Sequence, residues 1–287
     1  MTEDTRGVLY LCATPIGNLE DITLRALRGL REGDLIAAED TRHTRKLLSH
    51  YDIHTPLTSY HQHNCRKKGE YLLELLAAGK QIALVSDAGL PGISDPGSEL
   101  VAGILEKGCG VVPLPGPSAG ITALVVSGLP TESFVFVGFL PAAKKARREK
   151  LLELLDEPRT LIFYEAPHRL KPALADLNGV LGNRPAVAAR ELTKRHEEVI
   201  RSTLEELLKH FQEEEPRGEF TLVVGGATGE RLPSKQEPGW SQVSPAAHVA
   251  LLEAEGALRK EAIREVARLR GLPRREVYRC VIDEKKE

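Results

Sequence analysis

The sequence predicts an α/β protein: two successive α/β domains followed by a small helical tail. Short apolar runs of strand length alternate with segments of helical spacing up to Val224, the pattern of strands connected by crossover helices. Pro115-Gly116-Pro117 punctuates that alternation and splits it into two runs. A polar, Gly- and Pro-containing stretch from Gly229 to Pro245 then precedes three short helical segments. The expected organisation is therefore an N-terminal domain over 1–116, a C-terminal domain over 117–229, a linker over 230–245 and a tail over 246–287.

In the first domain, Val8–Thr14 reads as a buried strand and Thr23–Leu30 as a helix. Leu35–Ala38 and Gln81–Ser86 repeat the strand signal. Between them Tyr71, Leu72, Leu75 and Leu76 recur at helical spacing, and Gly79 supplies a stop. Gly110–Leu114 is the last strand of this half. In the second domain Ser133–Leu140, Thr160–Tyr164, Pro185–Arg190 and Phe220–Val224 are strand-like, with helices at Glu149–Leu155 and Leu204–Phe211. Its higher strand content predicts a mixed sheet. The tail reads as helices at Ala246–Glu255, Lys260–Arg270 and Arg274–Asp283, with Gly271-Leu272-Pro273 as a tight turn of helix-turn-helix type.

With 39 Lys and Arg against 41 Asp and Glu, the chain is not a uniformly basic nucleic-acid binder, so any such contact must come from local patches. Two exist: KKARREK at 144–150, and 259–279, with eight Lys or Arg against three Asp or Glu. Four scattered cysteines without a CxxC pair fit a reducing compartment. Neither a signal core nor a run of about 20 apolar residues is present, so a cytoplasmic protein without a membrane span is expected. His61 and His63 form an HxH pair with no third ligand in view, and read as a solvated turn; no metal is expected.

Ligands of open α/β sheets bind beyond the carboxyl ends of the strands, where four loops have unusual composition. These are TPIGNLEDIT (14–23), AAEDTRHT (37–44), SDAGLPGISDPG (86–97) and PGPSAGITAL (115–124). Their Gly and Pro residues allow tight turns and close approach of backbone amides. Asp87 and Asp95 can accept ribose hydroxyls, although Asp95 or Ser98 can equally cap a helix. Neither GxGxxG after the first strand nor GxxxxGK[ST] anywhere is found, which counts against a dinucleotide-binding dehydrogenase and a P-loop nucleotidase.

These loops, together with VGFLP (137–141), LIFYEAPHR (161–169), ARELTK (189–194) and GEFTLVVGG (218–226), resemble the tetrapyrrole-methylase superfamily, the class III methyltransferases. Within it the strings are most similar to the branch that methylates a cytidine ribose 2'-hydroxyl in 16S ribosomal RNA. The matches run in order over residues 8–226. One departure is Leu90, where the family loop commonly carries Thr, so no side-chain hydroxyl is available there.

The resemblance implies two α/β domains with S-adenosylmethionine bound in the cleft between them. Carried over by motif, the cofactor contacts are Asp87, Leu90 and Ile93, then Ser118 and Ala119, then Tyr164 and Leu192, with Glu219, Phe220 and Thr221 about the adenine. A 2'-hydroxyl is a weak nucleophile, so a base or polarising group is expected beside it. Asp40, His43, Glu191 and Lys194 are the candidates. Arg42 and Arg190 are expected to hold phosphates, as are Lys144, Lys145, Arg147 and Arg148 of the first basic run. In the tail the same expectation falls on Arg264, Arg268, Arg274 and Arg275. The implied partners are 16S rRNA in the small subunit and a second copy of the chain. Two alternatives stay open: a tetrapyrrole methyltransferase, and a ligand-sensing helix-turn-helix DNA-binding regulator.

Overall fold

The structure, a computed structural model, describes residues 6–95, 97–228, 243–254, 258–270 and 272–283. The chain divides into two compact units, residues 1–229 and 230–287. Most of the expected linker, 230–242, lies outside the described residues.

The first unit begins with strands β1 (Val8–Cys12), β2 (Leu35–Ala38), β3 (Leu57–Ser59), β4 (Ile82–Val85) and β5 (Gly110–Leu114). Between them run α1 (Leu24–Glu32), α2 (Thr41–His50), α3 (Cys65–Ala77) and α4 (Gly97–Glu106). All pairings are parallel, in the order β3-β2-β4-β1-β5. A parallel sheet with helices on both faces needs strands apolar on both sides, and all four residues of β4 are buried. One face packs Leu27, Leu30, Leu47 and Leu48 of α1 and α2. The other packs Leu72 and Leu76 of α3 with Leu100 and Ile104 of α4. Thr23 caps α1 by accepting the Ala26 N–H at 3.1 Å.

The unit continues with α5 (Ala119–Ser127), β6 (Phe134–Phe139), α6 (Lys144–Leu152), β7 (Thr160–Glu165), α7 (Pro167–Leu181), β8 (Pro185–Arg190), β9 (Glu198–Thr203), α8 (Leu204–Glu213) and β10 (Phe220–Val224). Its sheet, β6-β7-β10-β8-β9, is mixed: β6 and β7 are parallel, the remaining pairs antiparallel. Leu161 and Phe163 of β7 face α6, α7 and α8. Ile162, Val187 and Val223 face Ala123 and Leu124 of α5, and Ile16 from the loop after β1 packs into the same cluster. The register of β6 shifts between Phe136 and Gly138, where Gly138 adopts φ +72°. A β-bulge of this kind bends the strand and re-aims the side chains beyond it.

The basic run 144–150 does not face solvent as a whole. α6 turns Arg147 onto its buried side with Leu151, and the guanidinium meets Asp176 of α7 at 2.7 and 2.8 Å. Its Nη1 also donates to the carbonyl of Ala142 at 3.0 Å. Arg147 therefore joins helices, while Lys144, Lys145 and Arg148 are exposed.

The second unit contains α9 (Pro245–Ala254), α10 (Arg259–Arg270) and α11 (Arg274–Asp283). They close on a small core of their own, with Val249, Ile263, Val266, Val277 and Val281 buried. Arg264, Arg274 and Arg275 are exposed; the side chain of Arg268 lies outside the described residues. Arg270 turns back on α9, its Nε donating to His248 Nδ1 at 3.3 Å and its Nη2 to the carbonyl of Val243, just before the helix, at 2.7 Å. Among the described residues no helix is long and apolar enough to cross a membrane.

The Arg147–Asp176 pair is 6 and 7% exposed on its two side chains, so removing one partner strands a buried charge. Asp176→Ala is expected to lower unfolding free energy by about 3–5 kcal/mol, and Arg147→Met with Asp176→Leu to recover most of it. Urea denaturation checks both; a loss below about 1 kcal/mol in the single variant would contradict the internal role.

Candidate active site

The strand ends of both sheets open onto one cavity of about 260 Å³. Glu39 follows β2, and Asp87, Leu90 and Ile93 follow β4. Ser118 and Ala119 stand at the start of α5, Tyr164 at the end of β7 and Leu192 just past β8. Glu219, Phe220 and Thr221 line it from the start of β10, which runs antiparallel and so brings its amino end to this side. All ten positions expected at the cofactor thus share one cavity.

Backbone contacts fix its walls. Thr14 and Gly89 exchange N–H···O bonds of 2.9 and 3.0 Å, tying the loop after β1 to the loop after β4. The same Thr14 donates its hydroxyl to the Ser86 carbonyl at 3.1 Å. Gly89 sits at φ +79°, a left-handed conformation that favours glycine. Asp95 accepts from Gly92 N–H at 2.8 Å and Gly97 N–H at 2.7 Å. Its carboxylate is therefore spent on closing the loop and starting α4, so of its two readings the capping one describes the structure. On the second sheet, Gly120 N–H donates to the Tyr164 hydroxyl at 3.1 Å, fixing that ring.

The two halves meet where the loop after β1 crosses the loop after β8. Asn18 N–H donates to Thr193 Oγ1 at 3.0 Å. A Cβ on Gly17 would lie 2.8 Å from the Leu192 carbonyl oxygen and 2.5 Å from Lys194 Cγ, so only glycine permits this approach. Glu191 and Thr193 adopt φ +50° and +66°, a costly left-handed backbone for side-chain-bearing residues. Glu191 is also held by Lys194 Nζ at 3.0 Å.

Electrostatically the cavity is acidic: among the described residues Glu39, Asp87, Asp95, Glu165, Glu191 and Glu219 line it against one cation, Lys194. Burial raises the carboxyl of Glu39 above its usual range, and the neighbouring Asp87 and Asp95 raise it further. Burial likewise raises Asp95 and Glu165. Glu165 accepts the Ala166 N–H at 3.0 Å and lies 3.2 Å from Arg169 Nε, yet its Oε2 is buried without a hydrogen-bond donor. Carboxyls raised in the folded state favour folding below their unfolded pKa, and that contribution is lost as pH rises through the folded value. The cavity thus keeps negative charge at a cost in stability, as functional sites often do.

The four candidates for the base separate. Glu191 and Lys194 line the cavity, whereas Asp40 and His43 do not. Asp40 contributes its backbone N–H, which donates to Asp87 Oδ1 at 2.9 Å. Its carboxylate is engaged by Arg42 Nη2 at 3.0 Å and by the Arg42 N–H at 2.8 Å, and these hydrogen bonds hold it down to about 2. His43 is exposed on α2. Arg190 does not stand free either, since its Nε is paired with Glu198 Oε2 across β8 and β9. Sequence reasoning missed Glu39, Glu165, Phe139 and Ile16 as lining residues. All four stand within the quoted motifs AAEDTRHT, LIFYEAPHR, VGFLP and TPIGNLEDIT, so position was the available signal.

Comparison with known proteins agrees with this architecture. Residues 8–208 match the family described as tetrapyrrole (corrin/porphyrin) methylases. A protein of Halalkalibacterium halodurans named ribosomal RNA small subunit methyltransferase I is 54% identical, over 96% of this chain and 94% of its own. Its namesake in Bacillus subtilis is 49% identical over 95% and 93%. The solved structure of a cobalt precorrin-4 methyltransferase superimposes with a TM-score of 0.60 at 16% identity, covering 76% of this chain and 94% of that one. The chain belongs to the tetrapyrrole (corrin/porphyrin) methylase family, a family of methyltransferases.

Proposed function

We propose that this enzyme methylates the ribose 2'-hydroxyl of a cytidine in 16S rRNA of the small ribosomal subunit, with S-adenosylmethionine held in the cavity. The observation that carries the cofactor reading is the cavity's chemistry: six carboxylates to one ammonium, interleaved with the apolar walls Leu90, Ile93, Ala119, Leu192 and Phe220. Such a site attracts a cationic nucleoside and disfavours a nucleotide phosphate. The RNA reading rests on the names and close similarity of the relatives and on the 2'-hydroxyl chemistry that the motifs imply.

S-adenosylmethionine, when bound, supplies an electrophilic sulfonium methyl group that a ribose oxygen can take up, with S-adenosylhomocysteine leaving as the neutral thioether. Asp87, positioned by the Asp40 N–H, would accept hydrogen bonds from the cofactor's ribose hydroxyls. The backbone at Glu219–Thr221 would hold the adenine. Glu191, braced by Lys194, takes the proton that the 2'-hydroxyl gives up. Rigid walls hold acceptor and donor in line, which is where much of the rate enhancement of such a displacement arises.

The exposed cations Lys144, Lys145 and Arg148, and Arg264, Arg274 and Arg275 of the tail, supply phosphate contacts, and the sequence adds Arg268 to the tail's set. Arg42, exposed near the start of α2 and paired with Asp40, adds to them; Arg147 is excluded by its burial. The enzyme acts in the cytoplasm as a two-fold dimer. Ile121, Val125 and Val126 of α5, with Phe134 and Phe136 of the adjacent edge strand, leave an apolar face exposed that a second copy can cover.

Transfer of tritiated methyl to undermethylated small subunits, mapped by nuclease digestion, tests the whole reading; transfer to a porphyrinogen, or to neither, would overturn it. Asp87→Ala is expected to weaken cofactor binding at least about tenfold by calorimetry, the loss of about 1.5–3 kcal/mol typical of a charged hydrogen bond. Glu191→Gln is expected to lower kcat about 10²-fold or more while cofactor affinity stays within about threefold. Substituting the four tail arginines with Ala should reduce the salt dependence of RNA binding by roughly 0.7–0.9 per lost contact. An unchanged slope would remove the tail from docking.

A further inference from the structure

We propose that Phe139 is a stacking platform for the nucleobase of the nucleotide being methylated; this deepens the RNA reading above and rests on it. Val135 and Val137 of β6 pack against the core face of the second sheet, as do Leu161 and Phe163 of β7. In an unbroken strand, Phe139 would share that side with Val135 and Val137. The bulge at Val137–Gly138 breaks the alternation: Gly138 pairs with Phe163 and Phe139 with Tyr164. Phe139 is thereby carried to the cavity side. Its ring stands edge-on to Tyr164, 5.6 Å between centroids, and it lines the cavity while remaining 53% exposed. Gly138 makes the turn possible at φ +72°, and a Cβ there would lie 3.2 Å from Ser94 Oγ in the loop after β4.

An exposed aromatic at a cavity mouth, built by a strand irregularity, calls for a planar apolar occupant. Charge identifies which one. The chain re-enters the core at Leu140, and four residues later α6 presents Lys144, Lys145 and Arg148 to solvent. A π face beside phosphate-binding cations is the arrangement that holds single-stranded nucleic acid. Ile93, also half-exposed and lining the cavity, gives the base an aliphatic edge to lie against. A nucleobase resting on Phe139 places its own ribose toward the carboxylate-lined interior, which an RNA strand lying flat on the surface cannot do.

The test uses the full chain with undermethylated small subunits. Phe139→Leu keeps apolar bulk and removes the π face; Phe139→Trp keeps both. The Leu variant is expected to raise KM for subunits about tenfold, or about 1.4 kcal/mol, with cofactor affinity by calorimetry and mass by light scattering unchanged. The Trp variant is expected to stay within about threefold of the parent. Trp240 is the single tryptophan of the chain, so Phe139→Trp with Trp240→Phe gives a lone reporter. Its fluorescence should be quenched by a single-stranded RNA spanning the methylated site and left unchanged by S-adenosylmethionine alone. A Leu variant that methylates subunits like the parent overturns the platform while leaving the RNA reading intact. Weakened cofactor binding in the Leu variant, or quenching by cofactor alone, would assign Phe139 to the cofactor instead. A changed mass would assign it to the subunit contact. Failure of the parent itself to methylate RNA would overturn the underlying reading.

Discussion

The cavity between the two sheets depends on one close approach: the loop after β1 lies directly on the loop after β8, with no room for a side chain at Gly17. Each sheet has its own core, with Leu30, Ile36 and Leu72 among the buried residues of the first and Phe163, Leu170 and Leu204 among those of the second. Neither core forms the cavity alone. The Asn18–Thr193 hydrogen bond and Ile16, packed among Ile162, Val187 and Leu192, bring the two sets of strand ends to face each other. The left-handed backbone at Glu191 and Thr193 is the local cost of that junction, offset by two dense cores.

From this junction the chemistry follows. A parallel sheet collects its loops at one end, and a mixed sheet can do the same only if its antiparallel strands contribute their opposite ends. β10 does so: Glu219–Thr221 reach the cavity from the strand's beginning, beside Tyr164 and Ala189 from the ends of β7 and β8. Six carboxylates then share a partly buried space. Burial and mutual repulsion raise Glu39, and burial raises Asp95 and Glu165, a strain that a cationic ligand relieves.

Much of the fold was legible because buried strands write themselves as apolar runs. Leu35–Ala38, Gly110–Leu114, Pro185–Arg190 and Phe220–Val224 appear in the structure with the bounds read from sequence. β3 and β9 were not legible. β3 has three residues, and β9 carries Glu198 and Arg201 on an edge where one side meets solvent. Helix α6 shows a different limit: counting charges over 144–150 treats Arg147 as surface, whereas helical period pairs it with Leu151 on the buried side. In the cavity, motif position located Asp87, Tyr164 and Thr221. Phe139 stood within the quoted VGFLP, but strand alternation puts its side chain on the core face, and only the bulge turns it to the cavity.

On the function proposed above, the approach at Gly17 builds a site for S-adenosylmethionine. Isothermal titration of the cofactor into the parent and into Gly17→Val, with circular dichroism to establish that both are folded, tests it most directly. The account predicts one saturable site per chain in the parent and at least about a tenfold loss in the variant, because the added side chain forces the two loops apart. Absence of binding to the folded parent, or equal affinity in the two proteins, would contradict it.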